Sequence, residues 1–160
     1  MENGLEAILE FLAGLGMPVR LGETTGKTFF PGVRIVEGGL VVDLARLKHP
    51  GDILHEAGHL AAMEPERRAR TTDDAGPNGG EELASTGWSY AVAVHLRLDP
   101  AVVFHEDSYR GDGDSLLENF AEGRWIGVPL LQLWGMTLDE KNARQSGAKP
   151  YPHMRRWLRE

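Results

Sequence analysis

The residues of this chain with the types and spacing to do chemistry lie in one short run, His55-Glu56-Ala57-Gly58-His59. On an α-helix, positions four apart stand one turn apart on the same face, so the imidazoles of His55 and His59 can converge on one point. Two neutral imidazole nitrogens at one point suit a zinc ion. Glu56 is turned by about 100° from His55 and lies at the edge of that face, where its carboxylate can hold a water beside the ion without ligating it. The bland alternative is a pair of half-buried histidines on a structural helix. A stripe that also carries Leu60 and Ala61 gives such a pair little to gain, whereas a metal site needs a polar pair inside an apolar surround.

A catalytic zinc takes three protein ligands and keeps a fourth position for water, so the chain must supply one more. The longer motif with a glycine at 62 and a third histidine at 65 is excluded, because those residues are Ala62 and Pro65. The remaining candidates are Glu81 and Glu82, Asp73 or Asp74, and His95 or His105. Glu82 opens a helix read over 81–98, which lets that helix cross the motif helix and offer one rigid carboxylate; Ser85, Thr86 and Ser89 share its side. Glu81 lies on a stripe with Trp88 and Val92. Glu82 is therefore the expected third ligand and Glu81 its alternative, and both also read as acids complementing a helix N-terminus. For an oxyanion stabiliser His105, Tyr109 and Tyr90 are polar candidates, but no spacing selects one, and an ordinary hydrogen-bonding role is expected of each.

Around these residues stand elements that can position them. Pro50 and Asp52 suit the first turn of the motif helix, Ile53, Leu54, Ala57, Leu60 and Ala61 give it apolar surface, and Pro65 ends it. An N-terminal helix is read from the capping pair Asn3 and Glu6 and from Leu5, Ile8, Leu9, Leu12 and Leu15, with Gly14 and Gly16 to stop it. Val33, Ile35 and Val36 before the pair Gly38-Gly39, and Leu40, Val41 and Val42 after it, read as a hairpin within a small three-stranded sheet.

The segment 64–80 is polar and turn-rich and reads as a long surface loop bordering the site. Beyond Pro100, Ser115 with Glu118 and Thr137 with Glu140 have capping-box spacing, and Trp157 and Leu158 fall on an expected terminal helix. The cluster from Trp125 to Trp134 is read as core rather than substrate wall. Gly111-Asp112-Gly113-Asp114 lacks the ligand spacing of a calcium-binding loop.

Composition narrows the class. A chain of 160 residues with 41% hydrophobic content suffices for one domain with a real core. A net charge of −7 argues against nucleic acid or an anionic membrane as partner. The clusters Arg67-Arg68-Ala69-Arg70 and Arg155, Arg156, Arg159 read as solvated faces. Cysteine is absent, so the metal ligands must be histidine and carboxylate. An acidic N-terminus and the lack of a long apolar run lead to the expectation of a cytoplasmic protein.

His55-Glu56-Ala57-Gly58-His59 followed by a helix-borne glutamate resembles the gluzincin class of zinc metallopeptidases, and the preceding hairpin and small size resemble its minimal, ImmA/IrrE-like members. The similarity covers about residues 27–98, and the segment 102–134 has no counterpart in it. The resemblance implies zinc held by His55, His59 and Glu82, Glu56 as general base, and a peptide or protein substrate. The expected fold is α+β: one zincin-like domain over 1–160 with a small, mainly antiparallel sheet, the active-site helix, a second Glu-bearing helix and an irregular C-terminal half.

Overall fold

The structure, a computed structural model, describes residues 2–160, with side chains from residue 4 onward. In chain order it forms α1 (Glu2–Gly14), β1 (Val19–Leu21), β2 (Val33–Val36), β3 (Gly39–Val42), α2 (Gly51–Ala62), α3 (Pro65–Arg70), α4 (Gly79–His95), α5 (Gly113–Ala121), α6 (Val128–Leu133) and α7 (Glu140–Ser146), with 3-10 turns at Pro100–Val102 and Tyr109–Gly111. The class is α+β. None of the described helices is long and apolar enough to cross a membrane.

In α1, Ile8 and Leu12 are buried at helical spacing, and the helix closes after Gly14, where Gly16 at φ 76° lets the amide of Met17 return to the carbonyl of Leu12 at 3.1 Å. The Asn3 side chain of the expected capping pair lies outside the described residues.

The sheet has the order β1-β3-β2. The hairpin pairs Val33 with Val42 and Ile35 with Leu40, and its two-residue turn places Glu37 and Gly38 at φ 46° and 76°. Gly38 is needed twice over, since a β-carbon there would also stand 2.7 Å from the carbonyl oxygen of Arg68 in α3. The expectation of a mainly antiparallel sheet needs correcting, because β1 runs parallel to β3 and the sheet is mixed. The loop between Leu21 and Val33 carries the chain back before β2 begins, so β1 and β3 point the same way. Nothing in a three-residue strand announces its direction.

Every residue of α2 is buried. It lies between the sheet and α4, and its contact with α4 is the most extensive between two elements among the described residues. Gly58 makes that closeness possible, and Ser85 and Ser89 of α4 donate their hydroxyls to the carbonyls of His55 and Leu54 at 2.7 and 3.1 Å. The α2 carbonyls give both buried serine hydroxyls an acceptor inside the contact, so these polar side chains can be buried where the two helices meet.

Three expectations fail outside this centre. The segment 64–80 is not all loop, because Pro65 starts α3 instead of merely ending α2, which stops at Ala62. No residue of α3 is buried, so it has no apolar period to read. Arginine side chains tie it down instead: Arg68 donates to the carbonyls of Leu60, Met63 and Arg159, and Arg67 pairs with buried Glu81. The basic cluster is thus partly structural. Ser115 and Thr137 are not caps either; α5 begins at Gly113 and α7 takes its cap from Asp139, whose carboxylate accepts the Asn142 amide at 2.8 Å. Finally, no terminal helix forms. Trp157 packs edge-on against Phe11 and Trp88, and its carbonyl accepts the Trp88 indole N–H at 2.7 Å. The 125–134 cluster sends Val128 and Leu131 into the core, while Ile126 reaches a surface cleft.

Candidate metal centre

The imidazoles of His55 and His59 come off the same face of α2, and Glu82 reaches them from the first turn of α4. Asn78 caps α4 by accepting the Glu81 amide at 3.0 Å, which fixes the turn that carries both glutamates. His59 Nε2 lies 3.1 Å from His55 Nε2 and 2.7 Å from one oxygen of Glu82, while His55 Nε2 lies 3.4 Å from the other oxygen. Three donor atoms from two helices therefore converge on one small volume.

Glu81 goes elsewhere. Its side chain is turned into the protein against the Arg67 guanidinium. The other candidates are also accounted for: Asp73 pairs with Arg34 at 2.7 Å, Asp74 accepts the Gly76 amide at 2.8 Å, and His95 packs against Phe11 and Trp157. Tyr90 lies among Phe104, Phe120, Trp125 and Tyr151, in the aromatic part of the core.

Tyr109 has a role that spacing did not reveal. Its hydroxyl lies 2.9 Å from His55 Nδ1, on the ring edge away from Glu82. With the Nδ1 proton donated to that oxygen, Nε2 keeps a free lone pair directed at the point of convergence. Tyr109 and Arg110 reach this position with φ of 51° and 57°, a left-handed stretch that costs energy in non-glycine residues. Burial pushes the Tyr109 hydroxyl well above its ordinary titration range, so it stays neutral.

The electrostatics follow the geometry. Hydrogen bonds from His55 and His59 hold the Glu82 carboxyl far below the usual carboxylate range, against a smaller opposing effect of burial. Burial acts to lower the pKa of His59, but the hydrogen bond and charge of Glu82, aided by Glu56 and Glu81, outweigh it and leave the value raised. Glu56 is buried and its carboxyl is raised, chiefly by desolvation and against the pull of His55 and His59. It borders a small cavity of about 220 Å³ along β2, with Arg34, Ile35 and Asp73.

The larger cleft, of about 920 Å³, is lined by His55, Glu82, Thr86 and Tyr109, and by the apolar Phe29, Leu83 and Ile126. Phe29 belongs to both cavities and stands between them. It is 82% exposed and Leu83 is 49% exposed, so the cleft carries unusual apolar surface.

The donor set fits a metal ion. Two imidazole nitrogens facing each other across 3.1 Å, with a carboxylate on both, need a proton or a cation between them. Ligands held at ~2.0–2.1 Å around a tetrahedral ion stand ~3.3 Å apart, close to the 3.1 and 3.4 Å separations that His55 makes, while His59 and Glu82 stand nearer, at hydrogen-bond distance. A second cluster, His49, His105 and Asp107, also has donor atoms within 4.8 Å of one another. Two groups of side chains can thus hold a metal ion. Compared with protein-family models, curated proteins and solved structures, the chain matches none of them.

Proposed function

We propose that the protein is a zinc-dependent hydrolase, most simply a metallopeptidase, with His55, His59 and Glu82 holding the metal and Glu56 acting as general base. The observation that carries this reading is the convergence of two imidazole Nε2 atoms and one carboxylate from two helices, at 3.1, 2.7 and 3.4 Å. Zinc in such a setting supplies a Lewis acid and lowers the pKa of water to ~7.

The chain's own groups supply the rest. Tyr109 keeps the His55 Nε2 lone pair free by accepting a hydrogen bond from Nδ1–H, and Ser85 holds the backbone of His55 against α4. Glu56, next to His55 on α2 and with its carboxyl raised by burial, would accept a proton from the attacking water and return it to a leaving amine. The Phe29, Leu83 and Ile126 wall suits apolar side chains of a bound peptide, and the cleft volume is within the range of small-molecule and peptide sites.

A second reading is a metal-binding or protein-interaction domain without turnover. It is favoured by Glu56 facing the smaller cavity rather than the cleft that carries Glu82. One variant separates the two. Zinc-loaded protein and Glu56→Gln are incubated with a peptide library and their metal content is measured. The hydrolase reading expects equal zinc in both and cleavage only by the unsubstituted chain. Zinc in both with no cleavage in either favours the domain without turnover, and equal cleavage rules out Glu56 as the base.

A further inference from the structure

The wall of the cleft holds four more polar side chains that the converging ligands do not use: His49, Asp52, His105 and Asp107. His49 immediately precedes Pro50 at the head of α2, Asp52 is in the first turn of α2, and the other two lie between the two 3-10 turns. The rings of His49 and His105 are stacked, with centroids 3.7 Å apart and planes inclined by 13°. His49 Nε2 lies 2.9 Å from Asp107 Oδ2, and His105 Nε2 lies 2.7 Å from Asp52 Oδ1.

Asp52 decides what His105 can do. Its carboxylate accepts the Nε2–H of His105, which leaves Nδ1 as a bare lone pair in the neutral ring. That atom is buried, and it has no hydrogen-bond partner among the described residues.

We propose that His49, His105 and Asp107 form a second metal site, taking a divalent late-transition cation such as zinc, with Asp52 as the residue that orients His105. Two imidazoles and one carboxylate select this class over magnesium or calcium, which need an oxygen shell. Donor atoms of the three residues already lie within 4.8 Å of one another. Parallel rings present their lone pairs side by side, so one must turn to meet the ion. His105, 9% exposed and held by Asp52, is the fixed ligand; His49 at 28% and Asp107 at 62% are free to move onto the metal. The ion would tie the head of α2 to the segment that carries Tyr109, in the same cleft as the first site but through different ligands.

The test counts ions and is independent of any hydrolytic activity. Purified chain is dialysed to equilibrium against zinc alone, and bound metal is counted by atomic emission. Two ions per chain are expected. His49→Ala and Asp107→Asn, at accessible positions, are each expected to hold one, His59→Ala to hold one, and the His49→Ala/His59→Ala double variant none. Asp52→Asn should weaken the second site by ~10–100-fold while leaving the first unchanged. Circular dichroism melts confirm that each variant is folded. A count that His49→Ala and Asp107→Asn leave unchanged overturns the second site. A count that only His59→Ala leaves unchanged overturns the first site and keeps the second.

Discussion

Gly58 and Ser85 meet so closely that a β-carbon on Gly58 would stand 2.5 Å from Ser85 Oγ and 3.1 Å from its Cα. The contact sets the distance between the helix carrying His55 and His59 and the helix carrying Glu82. Gly58→Ala must therefore push α2 and α4 apart or displace the hydroxyl that Ser85 donates to the His55 carbonyl. Overpacking of this kind costs about 1–3 kcal/mol. The variant is expected to melt earlier and to bind zinc more weakly, as thermal denaturation and metal titration would record; unchanged affinity would mean that the helix separation does not govern the site.

The adjacent glutamates should separate cleanly by experiment. Glu82→Gln removes a carboxylate that faces both histidines and is expected to reduce zinc binding with little loss of fold. Arg67→Ala removes the guanidinium from the buried Glu81, whose Oε2 already has no partner among the described residues. A buried acceptor left unpaired costs about 1–3 kcal/mol, and more when it is charged. That variant should lose stability and keep its metal.

Tyr109→Phe deletes one hydroxyl behind His55. Partners of this kind on a ligating imidazole are worth ~10–100-fold in metal affinity. Isothermal titration with zinc should show a weaker first site and an unchanged fold. A Tyr109→Phe protein that binds as tightly as the original would leave His55 without a need for that hydrogen bond.

Acidity should act in opposite directions on the chelated and the metal-loaded protein. In the chelated chain the raised His59 contributes stability that is present below the ordinary histidine value and is lost as pH rises through its folded value. The depressed Glu82 contributes stability that is present above the ordinary carboxylate value and is lost as pH falls toward its own. Melting temperature of the chelated protein should therefore peak between roughly pH 4.5 and 6.5. Zinc needs a neutral imidazole, so the stabilisation it adds should instead grow as pH rises through that upper limit. Parallel pH series with and without chelator would reveal the crossing trends.

The motif helix was legible because a four-residue interval on a helix is a local property that needs no knowledge of the rest of the chain. Glu82 was readable over Glu81 for a related reason: the serines and threonine on its stripe mark the side turned toward α2, and Trp88 marks the other. What escaped has a different physical basis. Helix α3 buries nothing and is held by arginine-to-carbonyl bonds, which leave no periodic trace. The parallel pairing of β1 depends on the path of a loop. Ser115 falls inside α5, which has no side-chain cap, and Asp139 caps α7 in place of Thr137, because the same spacing also occurs inside elements and turns. His49 and Asp107 were not singled out at all, since their partners lie in distant parts of the chain and only folding brings them together.

The complete burial of α2 has a kinetic consequence. Its last carbonyls are occupied: Arg68 reaches those of Leu60 and Met63, and the Arg159 amide donates to Ala61 at 2.9 Å. The amides of a helix so enclosed are expected to be among the slowest in the chain to exchange hydrogen. Whatever enters or leaves the ligand set cannot do so by loosening the helix that carries the histidines. The route must pass the half-exposed Glu82 and the backbone turn at Tyr109, so the rate of metal exchange should follow the mobility of that turn rather than the stability of the protein.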